Sequence, residues 1–344
     1  MSIFSMHRSR LSSLLSFSVA LALTVGFSLV AGCSKETEPA QPASTNPGSI
    51  ATTKVTLALN WVPEPEFGGF YAAKQEGFYK QHKLDVDIKA GGAGTPVAQR
   101  VASGDVEFGI VSADEVLILR PKGADLVAIF TVFQTCPQGI MARASRNLAS
   151  IEDVFKSGTV AVEPGNAYVS FLKKKYDLSK AKLVTYQGGI TRFLAEEDYA
   201  QQCFVFSEPV AAKLKGVDSK VFLIADTGYN PYTAVVVVKG DYLRSNRSAV
   251  ERFVQATRQG WRAYLDNPAP ANEIIGKLNT ALDAPTLAAA AIAQAPLIES
   301  DDTKANGLGS MTAARWQTLA EQLKDLGVVE KPPAASECFV QIGK

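Results

Sequence analysis

The chain contains 344 residues, with 35 lysine and arginine residues against 34 aspartate and glutamate residues, so its formal net charge at pH 7 is +1. A charge this close to zero gives no indication of a nucleic-acid or strongly charged protein partner. The length exceeds what a single hydrophobic core usually supports, which predicts two lobes.

Residues 1–32 have the pattern of a secretory signal. Arg8 and Arg10 precede an uncharged, mostly apolar run over residues 11–31, and an apolar run behind a basic start is typical of a segment that directs export. Small residues lie directly before Cys33, so we expect cleavage at that point. An uncleaved membrane anchor is the alternative, because the run is nearly long enough to span a bilayer.

A lipid-attachment signal is predicted at the end of this run. Residues 29–33, LVAGC, resemble a bacterial lipobox, in which the cysteine carries the lipid and becomes the new amino terminus. The resemblance implies a protein outside the cytoplasm that is anchored to a membrane through Cys33. Residues 33–53 are rich in Pro, Ser, Thr, Ala and Glu without periodicity, so they are predicted to be a flexible tether.

Strands and helices alternate from residue 54 onward. The alternating run at 54–59 predicts a strand that ends before two prolines, and large residues at helical spacing predict a helix over 67–81. In the same way strands are predicted at 84–88, 106–111 and 126–130, and helices at 96–103 and 115–120. Strands separated by helices indicate right-handed crossovers and a mainly parallel sheet.

The same alternation recurs in a second lobe. A strand at 139–143 is predicted to cross into it and a strand at 234–238 to cross back, and four helices after residue 247 are predicted to complete the first lobe. We therefore predict an α/β protein with two lobes, each built on a mainly parallel sheet flanked by helices. Lobe 1 comprises residues 54–138 and 237–344, lobe 2 comprises residues 139–236, and two crossing segments form the hinge.

Three cysteines follow Cys33, namely Cys136, Cys203 and Cys338. Outside the cytoplasm one pair can form a disulfide, and three buried free thiols are the equally weighted alternative. Their separations exclude a Cys-x-x-Cys metal site. No metal or cofactor is predicted.

Five short stretches resemble a known family. They are LNWVP at 59–63, GFYAA at 69–73, EGFY at 76–79, ASGDVEFGI at 102–110 and FSEP at 206–209. They are similar to solute-binding proteins of ABC importers, in the nitrate, sulfonate and taurine branch, and especially to the subset that binds pyrimidine precursors of thiamine. The resemblance implies a type II periplasmic-binding-protein fold. It also implies a monomer that captures a small molecule between its lobes and delivers it to the permease subunits of an importer.

One departure from that subset concerns histidine. The subset often has a histidine before its Gly-x-Tyr turn, whereas this chain reads EFGG at 66–69. His82 is the only histidine after residue 32, and it follows the predicted first helix. Pyrimidine-precursor synthases that share this fold supply an active-site histidine and a cysteine cluster, which this sequence lacks.

The loop after the first strand carries the first candidate ligand contacts. Ligands of open α/β sheets bind at the carboxyl ends of strands, and Trp61 lies at such an end, so its ring is predicted to stack on a planar ligand. Packing of that ring onto the sheet is the alternative. Glu66 and Phe67 are weaker candidates, because an aromatic at helical spacing can equally belong to the core.

Other strand ends supply polar candidates. Ser112 and Asp114 follow the third strand, where the family places polar ligand contacts, although Asp114 can instead cap the next helix. Gln134 follows the fourth strand and faces the cleft or holds the adjacent crossing segment. In lobe 2, free N–H groups of one strand-to-helix turn are predicted to bind a carbonyl or acidic group, with an ordinary glycine turn as the alternative. That turn contains Glu163, Gly165, Asn166 and Ala167.

The chemistry of this set favours one ligand class. The Glu208 carboxylate, at another turn of lobe 2, can accept from a ligand amine, and Tyr232 on the strand that crosses back is predicted to close the cleft. Aromatic faces with carboxylates suit a flat, nitrogen-rich ring with N–H donors, such as an aminopyrimidine. Nitrate, sulfonate or taurine would favour Arg or Lys in the turns, or an array of free N–H groups.

Two other functions remain as alternatives. An enzyme is disfavoured because the sequence contains no Gly-x-Ser-x-Gly elbow and no metal triad. A sensor ectodomain could use the same two-lobed fold.

Overall fold

The structure, a computed structural model, describes residues 51–343. The predicted signal segment, the lipidation site at Cys33 and the tether up to residue 50 lie outside the described residues. Within the described part no helix is both long and apolar enough to cross a membrane.

Ten strands form two sheets. The strands are β1 (Thr53–Ala58), β2 (Leu84–Lys89), β3 (Phe108–Val111), β4 (Leu126–Phe133), β5 (Gln138–Arg143), β6 (Thr159–Val162), β7 (Lys182–Thr185), β8 (Tyr199–Phe204), β9 (Ser219–Leu223) and β10 (Thr233–Lys239).

The helices flank these sheets, and most of the long ones follow β10. They are α1 (Gly68–Gln75), α2 (Phe78–Gln81), α3 (Val97–Ser103), α4 (Ala113–Leu119), α5 (Ile151–Val154), α6 (Ala167–Lys175), α7 (Thr191–Ala195), α8 (Glu208–Leu214), α9 (Gly240–Ser245), α10 (Arg247–Asp266), α11 (Ala269–Leu278), α12 (Ala284–Ile298), α13 (Asp301–Asn306), α14 (Ala313–Asp325) and α15 (Ala335–Cys338).

Each sheet contains one strand that runs against the other four. The first sheet has the order β2-β1-β3-β10-β4, and the second has the order β7-β6-β8-β5-β9. In the first sheet β10 is antiparallel to both β3 and β4, and in the second β5 is antiparallel to both β8 and β9. These are the two strands that follow the connections between the sheets. The predicted α/β class with two mainly parallel sheets is confirmed.

Two predicted helix boundaries were wrong. The helix predicted over 67–81 is interrupted at Gly77, whose φ of 76° lies in the left-handed region and separates α1 from α2. In lobe 2 the sequence pattern predicts a helix over 190–199, whereas the observed helix α7 ends at Ala195. Tyr199 begins β8 instead, because its backbone pairs with β6 while the following residues pair with β5.

The three cysteines after Cys33 are free thiols in the structure, and all three are buried. Burial raises the pKa of Cys136 to about 11 and that of Cys338 to about 11, and it raises the pKa of Cys203 well above its ordinary value. A thiol is reactive as its thiolate, so all three behave as packed apolar groups at neutral pH.

A close contact between α1 and α10 fixes the start of α1, just after the loop that follows β1. A Cβ atom added at Gly69 would lie 2.2 Å from the Trp261 ring, and one added at Gly260 would lie 2.3 Å from the Gly69 carbonyl oxygen. Only glycine allows backbones to approach this closely. The glycines of the family-like stretch therefore have a packing role that places the candidate loop against α10.

We expect Gly69→Ala to lower the free energy of unfolding by about 2 kcal/mol or more, because the new methyl group overlaps the Trp261 ring. This loss should exceed the gain of about 1 kcal/mol that alanine brings to a helix interior. Urea titration followed by circular dichroism measures the difference. Gly92→Ala is the matched control, since a Cβ at Gly92 meets no atom within 4 Å. Equal stability of the two variants would contradict the packing argument.

Candidate functional site

The loop between β1 and α1 is held in place by the helices of the carboxyl-terminal half. The Asn279 side chain donates to the Pro63 carbonyl at 3.0 Å, and the buried Gln294 side chain donates to the Pro65 carbonyl at 2.9 Å. These two bonds tie the backbone of the loop to α12 and to the residue that follows α11.

Three glutamate side chains come together where this loop meets lobe 2. Glu64 and Glu66 belong to the loop, and Glu208 is the first residue of α8. The charge of Glu208 acts on both Glu64 and Glu66. The Ser207 hydroxyl donates across the lobes to Glu64 Oε2 at 3.4 Å. We call Glu64, Glu66 and Glu208 the carboxylate cluster.

Lobe 2 provides the donors that orient Glu208. The Tyr186 hydroxyl donates to Glu208 Oε1 at 2.7 Å, and the Phe204 backbone N–H donates to Oε2 at 2.9 Å. Each carboxylate oxygen thus has one donor, which fixes the plane of the group. Each oxygen keeps acceptor capacity for a further hydrogen bond.

Burial raises the pKa of all three groups, and the charges of neighbouring glutamates raise the pKa of Glu64 and Glu66 further. Burial, then the charge of Glu208, raises the pKa of Glu64 to about 7, against hydrogen bonds from Trp61 and Ser207. For Glu66, which is 5% exposed, burial and then the charges of Glu64 and Glu208 raise the pKa well above its ordinary value. Burial likewise raises the pKa of Glu208. No basic side chain of residues 51–343 contributes to these three shifts.

A second polar group lies at the end of β3. Ser112 is the N-cap of α4, where its backbone N–H bonds to Glu115 Oε2 at 2.9 Å in a capping box. Asp114 accepts hydrogen bonds from the Ser112 hydroxyl and from the Tyr229 hydroxyl, the latter at 3.2 Å. Capping by Asp114 was the alternative prediction, and the structure assigns the cap to Ser112 instead.

The turn between β6 and α6 is largely exposed. Its Glu163 backbone N–H donates to Gln202 Oε1 at 2.6 Å, and Tyr168 donates to the same oxygen at 2.5 Å. Gly165 has a φ of 95°, and the Asn166 carbonyl accepts from Val169 at 3.0 Å. Asn166 is exposed and Ala167 is buried at the start of α6.

The remaining predicted contact residues differ in burial and in bonding. They are Trp61, Phe67, Gln134 and Tyr232. Trp61 is partly exposed at the edge of the lobe 1 core, as a stacking platform requires, whereas Phe67 is fully buried within that core. The buried Gln134 side chain donates to the Ser310 carbonyl at 2.9 Å, which matches its predicted alternative of holding the crossing segment. Tyr232 is buried beside the hinge.

The sequence analysis missed Glu64, Tyr186 and Ser207. Ser207 precedes Glu208 in the FSEP stretch, and Glu64 directly follows the LNWVP stretch in the candidate loop. Their contact across the lobes depends on closure, which no local pattern records. Tyr186 follows β7, and its position at a strand end was the signal that could have identified it.

A groove of about 660 Å³ lies on lobe 1 away from the carboxylate cluster. Its lining includes His82, Arg262 and Lys304. Arg262 pairs with Glu299 at 2.7 Å, and Lys304 pairs with Asp301 at 3.1 Å. Because these cations already have partners, the groove has no organised set of free charges for a ligand.

Comparison with known proteins assigns the family. Residues 64–271 match the family described as NMT1/THI5 like. The chain belongs to this family. The match covers the carboxylate cluster, all of the second sheet and all of α10, so it includes residues of the candidate site from both lobes.

Curated relatives of similar length are binding proteins. The riboflavin-binding protein RibY of Chloroflexus aurantiacus is 25% identical over 330 residues, covering 90% of this chain and 93% of the relative. The formylaminopyrimidine-binding protein of Halalkalibacterium halodurans is 21% identical over 302 residues, covering 85% and 91%. A 4-amino-5-hydroxymethyl-2-methylpyrimidine phosphate synthase of Candida albicans is 22% identical but covers only 64% and 70%.

Solved structures support the fold. The periplasmic aliphatic sulphonate binding protein SsuA of Escherichia coli superposes with a TM-score of 0.63 at 14% identity, covering 85% of this chain and 93% of SsuA. The two-lobed periplasmic-binding-protein fold predicted from the sequence is therefore confirmed. The chain has this fold and belongs to the NMT1/THI5-like family.

The raised pKa values predict a pH dependence with a defined sign. A carboxyl whose pKa is raised by folding stabilises the folded state fully below its unfolded pKa, and this stabilisation is lost as pH rises through the folded pKa. For Glu66 the loss begins near the ordinary value of 4.5. Glu66→Gln should therefore match the parent at pH 5 and exceed its free energy of unfolding at pH 8 by about 1–3 kcal/mol, the cost of an unpaired buried charge.

Urea titrations at the two pH values provide the measurement, with Glu330→Gln as the control because Glu330 is exposed. A Glu66→Gln variant that gains no stability between pH 5 and pH 8 relative to this control would show that the carboxylate is solvated.

Proposed function

We propose that the chain is the solute-binding protein of an ABC importer and that it captures a planar, nitrogen-rich heteroaromatic ligand between its lobes. An aminopyrimidine related to the thiamine precursors is the ligand class that the site chemistry favours. In this proposal lobe 1 comprises residues 54–138 and 237–344, and lobe 2 comprises residues 139–236. A signal at 1–32 and a lipid on Cys33 place the domain outside the cytoplasm, and residues 33–53 are its tether. Its partners are the permease subunits.

The carboxylate cluster is the observation that carries this proposal. A carboxylate is an acceptor when ionised and needs donors when it is buried. The cluster receives donors from Tyr186, Ser207 and the Phe204 backbone, and no cationic partner accompanies them. An amino group or a ring N–H on the ligand would supply the missing donors.

Aromatic and polar side chains around the cluster complete the proposed contacts. The Trp61 ring would cover one face of the ligand. Glu66 and Glu208 would accept from its donors, and Ser112 with Asp114 would contact it from the end of β3. The turn at 163–167 would approach it from lobe 2, through Glu163, Gly165, Asn166 and Ala167. Phe67, Gln134 and Tyr232, which are buried, would hold these contact residues in position on the side away from the ligand.

Two features weigh against the other ligand and function classes. Sulfonate and nitrate are anions, and three carboxylates would repel them. The synthases in this family match the chain over a smaller share than the binding proteins do. A non-enzymatic binder therefore fits both the site and the comparisons best.

A thermal-shift screen of the purified protein tests the proposal directly. The panel should contain 4-amino-5-hydroxymethyl-2-methylpyrimidine, its formylamino counterpart, riboflavin, taurine, an alkanesulfonate and nitrate. A ligand that binds only the folded state must raise the unfolding midpoint by mass action. We expect a shift with an aminopyrimidine. A shift with riboflavin alone would keep the binding function and change the ligand, and a shift with anions alone would overturn the carboxylate argument.

Trp61→Ala should weaken binding of the responding ligand by at least tenfold, since stacking of an aromatic pair and the buried ring area are lost together. The melting temperature of the empty protein should change little, because Trp61 is partly exposed. Isothermal titration calorimetry of the parent, Trp61→Ala and Trp61→Phe distinguishes the effect of removing the aromatic ring from the effect of making it smaller. A large loss of stability in the empty Trp61→Ala protein would assign the ring to packing.

A further inference from the structure

Two crossing segments join the lobes, residues 134–137 between β4 and β5 and residues 224–232 between β9 and β10. They contact each other through the Cys136 backbone N–H, which donates to Asn230 Oδ1 at 2.8 Å. Rotation of one lobe relative to the other requires backbone dihedral changes in a few such connecting residues. The contacts of these two segments therefore govern how the lobes open.

Arg315, on α14 of lobe 1, contacts both segments at once. Its Nη1 donates to the Gln134 carbonyl at 2.6 Å, and its Nη2 donates to the Asn230 carbonyl at 2.9 Å. Its guanidinium carbon lies 3.8 Å from the centroid of the Tyr232 ring. The planar guanidinium group can make two directed hydrogen bonds and stack on an aromatic ring together, which a lysine ammonium cannot do.

Neighbouring bonds hold the lobe 1 end of each segment. The Gln134 backbone N–H donates to the Leu297 carbonyl at 2.8 Å. The Tyr232 hydroxyl accepts from the Thr312 backbone N–H at 2.9 Å. The Thr135 backbone N–H also donates to the Leu297 carbonyl at 3.0 Å, and the Gln322 side chain donates to the Gly228 carbonyl at 2.8 Å. The residues left for the dihedral changes of opening are therefore 136–137 and 224–227.

The lobes of this structure are in contact. Ser207 donates to Glu64, and the stacked rings of Phe133 and Phe206 lie 5.2 Å apart between their centroids. We propose that Arg315 is a positioning residue for lobe closure, which fixes the two crossing segments at the angle that brings these interlobe contacts together. The proposal deepens the proposed function, because a ligand held between the lobes is retained only while they stay closed.

Lobe separation in the ligand-free full-length protein provides the test. Spin labels carried on unnatural amino acids at positions 213 on α8 and 280 before α12, both exposed, report the distance across the cleft by double electron–electron resonance. Arg315→Gln should lower the ratio of the short-distance to the long-distance population about tenfold, as the loss of one to two net hydrogen bonds allows. Arg315→Lys keeps the charge without the planar fork and should give a smaller shift in the same direction.

Arg258→Gln is the matched control. Arg258 is also partly buried and also donates to backbone carbonyls, those of Leu308, Ile342 and Gly343, but all of them lie within lobe 1. It should lower the melting temperature without changing the distance distribution. If Arg315→Gln does not fold, Arg315→Lys carries the comparison. An unchanged distribution in the folded Arg315 variant, or an equal change in Arg258→Gln, would overturn the proposal.

These distances are measured without ligand, so a protein that binds nothing in the thermal-shift panel still tests the role of Arg315. If 4-amino-5-hydroxymethyl-2-methylpyrimidine binds, its dissociation rate measured by stopped flow should rise in Arg315→Gln by a similar factor. A faster dissociation without a change in the lobe distances would place Arg315 in ligand contact instead and would also overturn the positioning role.

Discussion

Closure of the two lobes brings three carboxyl groups into a confined space with no basic side chain of the described residues to balance them. Glu64 and Glu66 come from a loop of lobe 1, and Glu208 comes from the start of α8 in lobe 2. Burial raises the pKa of each group, and neighbouring glutamate charges add to the shift at Glu64 and Glu66, so the closed arrangement favours protonated carboxyls. A donor-rich ligand relieves the same constraint by supplying hydrogen atoms of its own. The closed conformation therefore creates the need for hydrogen-bond donors that a donor-rich ligand would meet.

The fold makes this arrangement possible through its connections. Each sheet receives one strand from the other lobe, β5 in the second sheet and β10 in the first, and each runs antiparallel to its neighbours. Both crossings therefore lie side by side at one edge of the cleft, where Arg315 reaches both of them. The loop that carries Trp61 and Glu64 in lobe 1 meets the start of α8, with Ser207 and Glu208, in lobe 2. A hinge at this edge lets the cleft close with few dihedral changes.

Local patterns in the sequence predicted the alternation of strands and helices, because strand and helix periodicities are properties of adjacent residues. They also located Trp61 and Glu208 at strand ends. They left Phe67 open between the cleft and the core, and the ring, at the end of a short 3-10 turn at Pro65–Phe67, is fully buried in the core. The partnership of Glu64 with Ser207 spans 143 positions and exists only when the lobes meet. Such a contact depends on tertiary closure, which no periodicity within one segment encodes.

The central claim is that buried carboxylates select a ligand with N–H donors, and titration calorimetry with the parent and Glu66→Gln proteins at pH 7 tests it most directly. The two ligands to compare are 4-amino-5-hydroxymethyl-2-methylpyrimidine and taurine. We predict that the parent binds the aminopyrimidine and not taurine, and that Glu66→Gln weakens aminopyrimidine binding by about 2 kcal/mol, as expected when a hydrogen bond to a charged acceptor is lost. Tight binding of taurine by the parent, or an unchanged aminopyrimidine affinity in Glu66→Gln, would contradict the account.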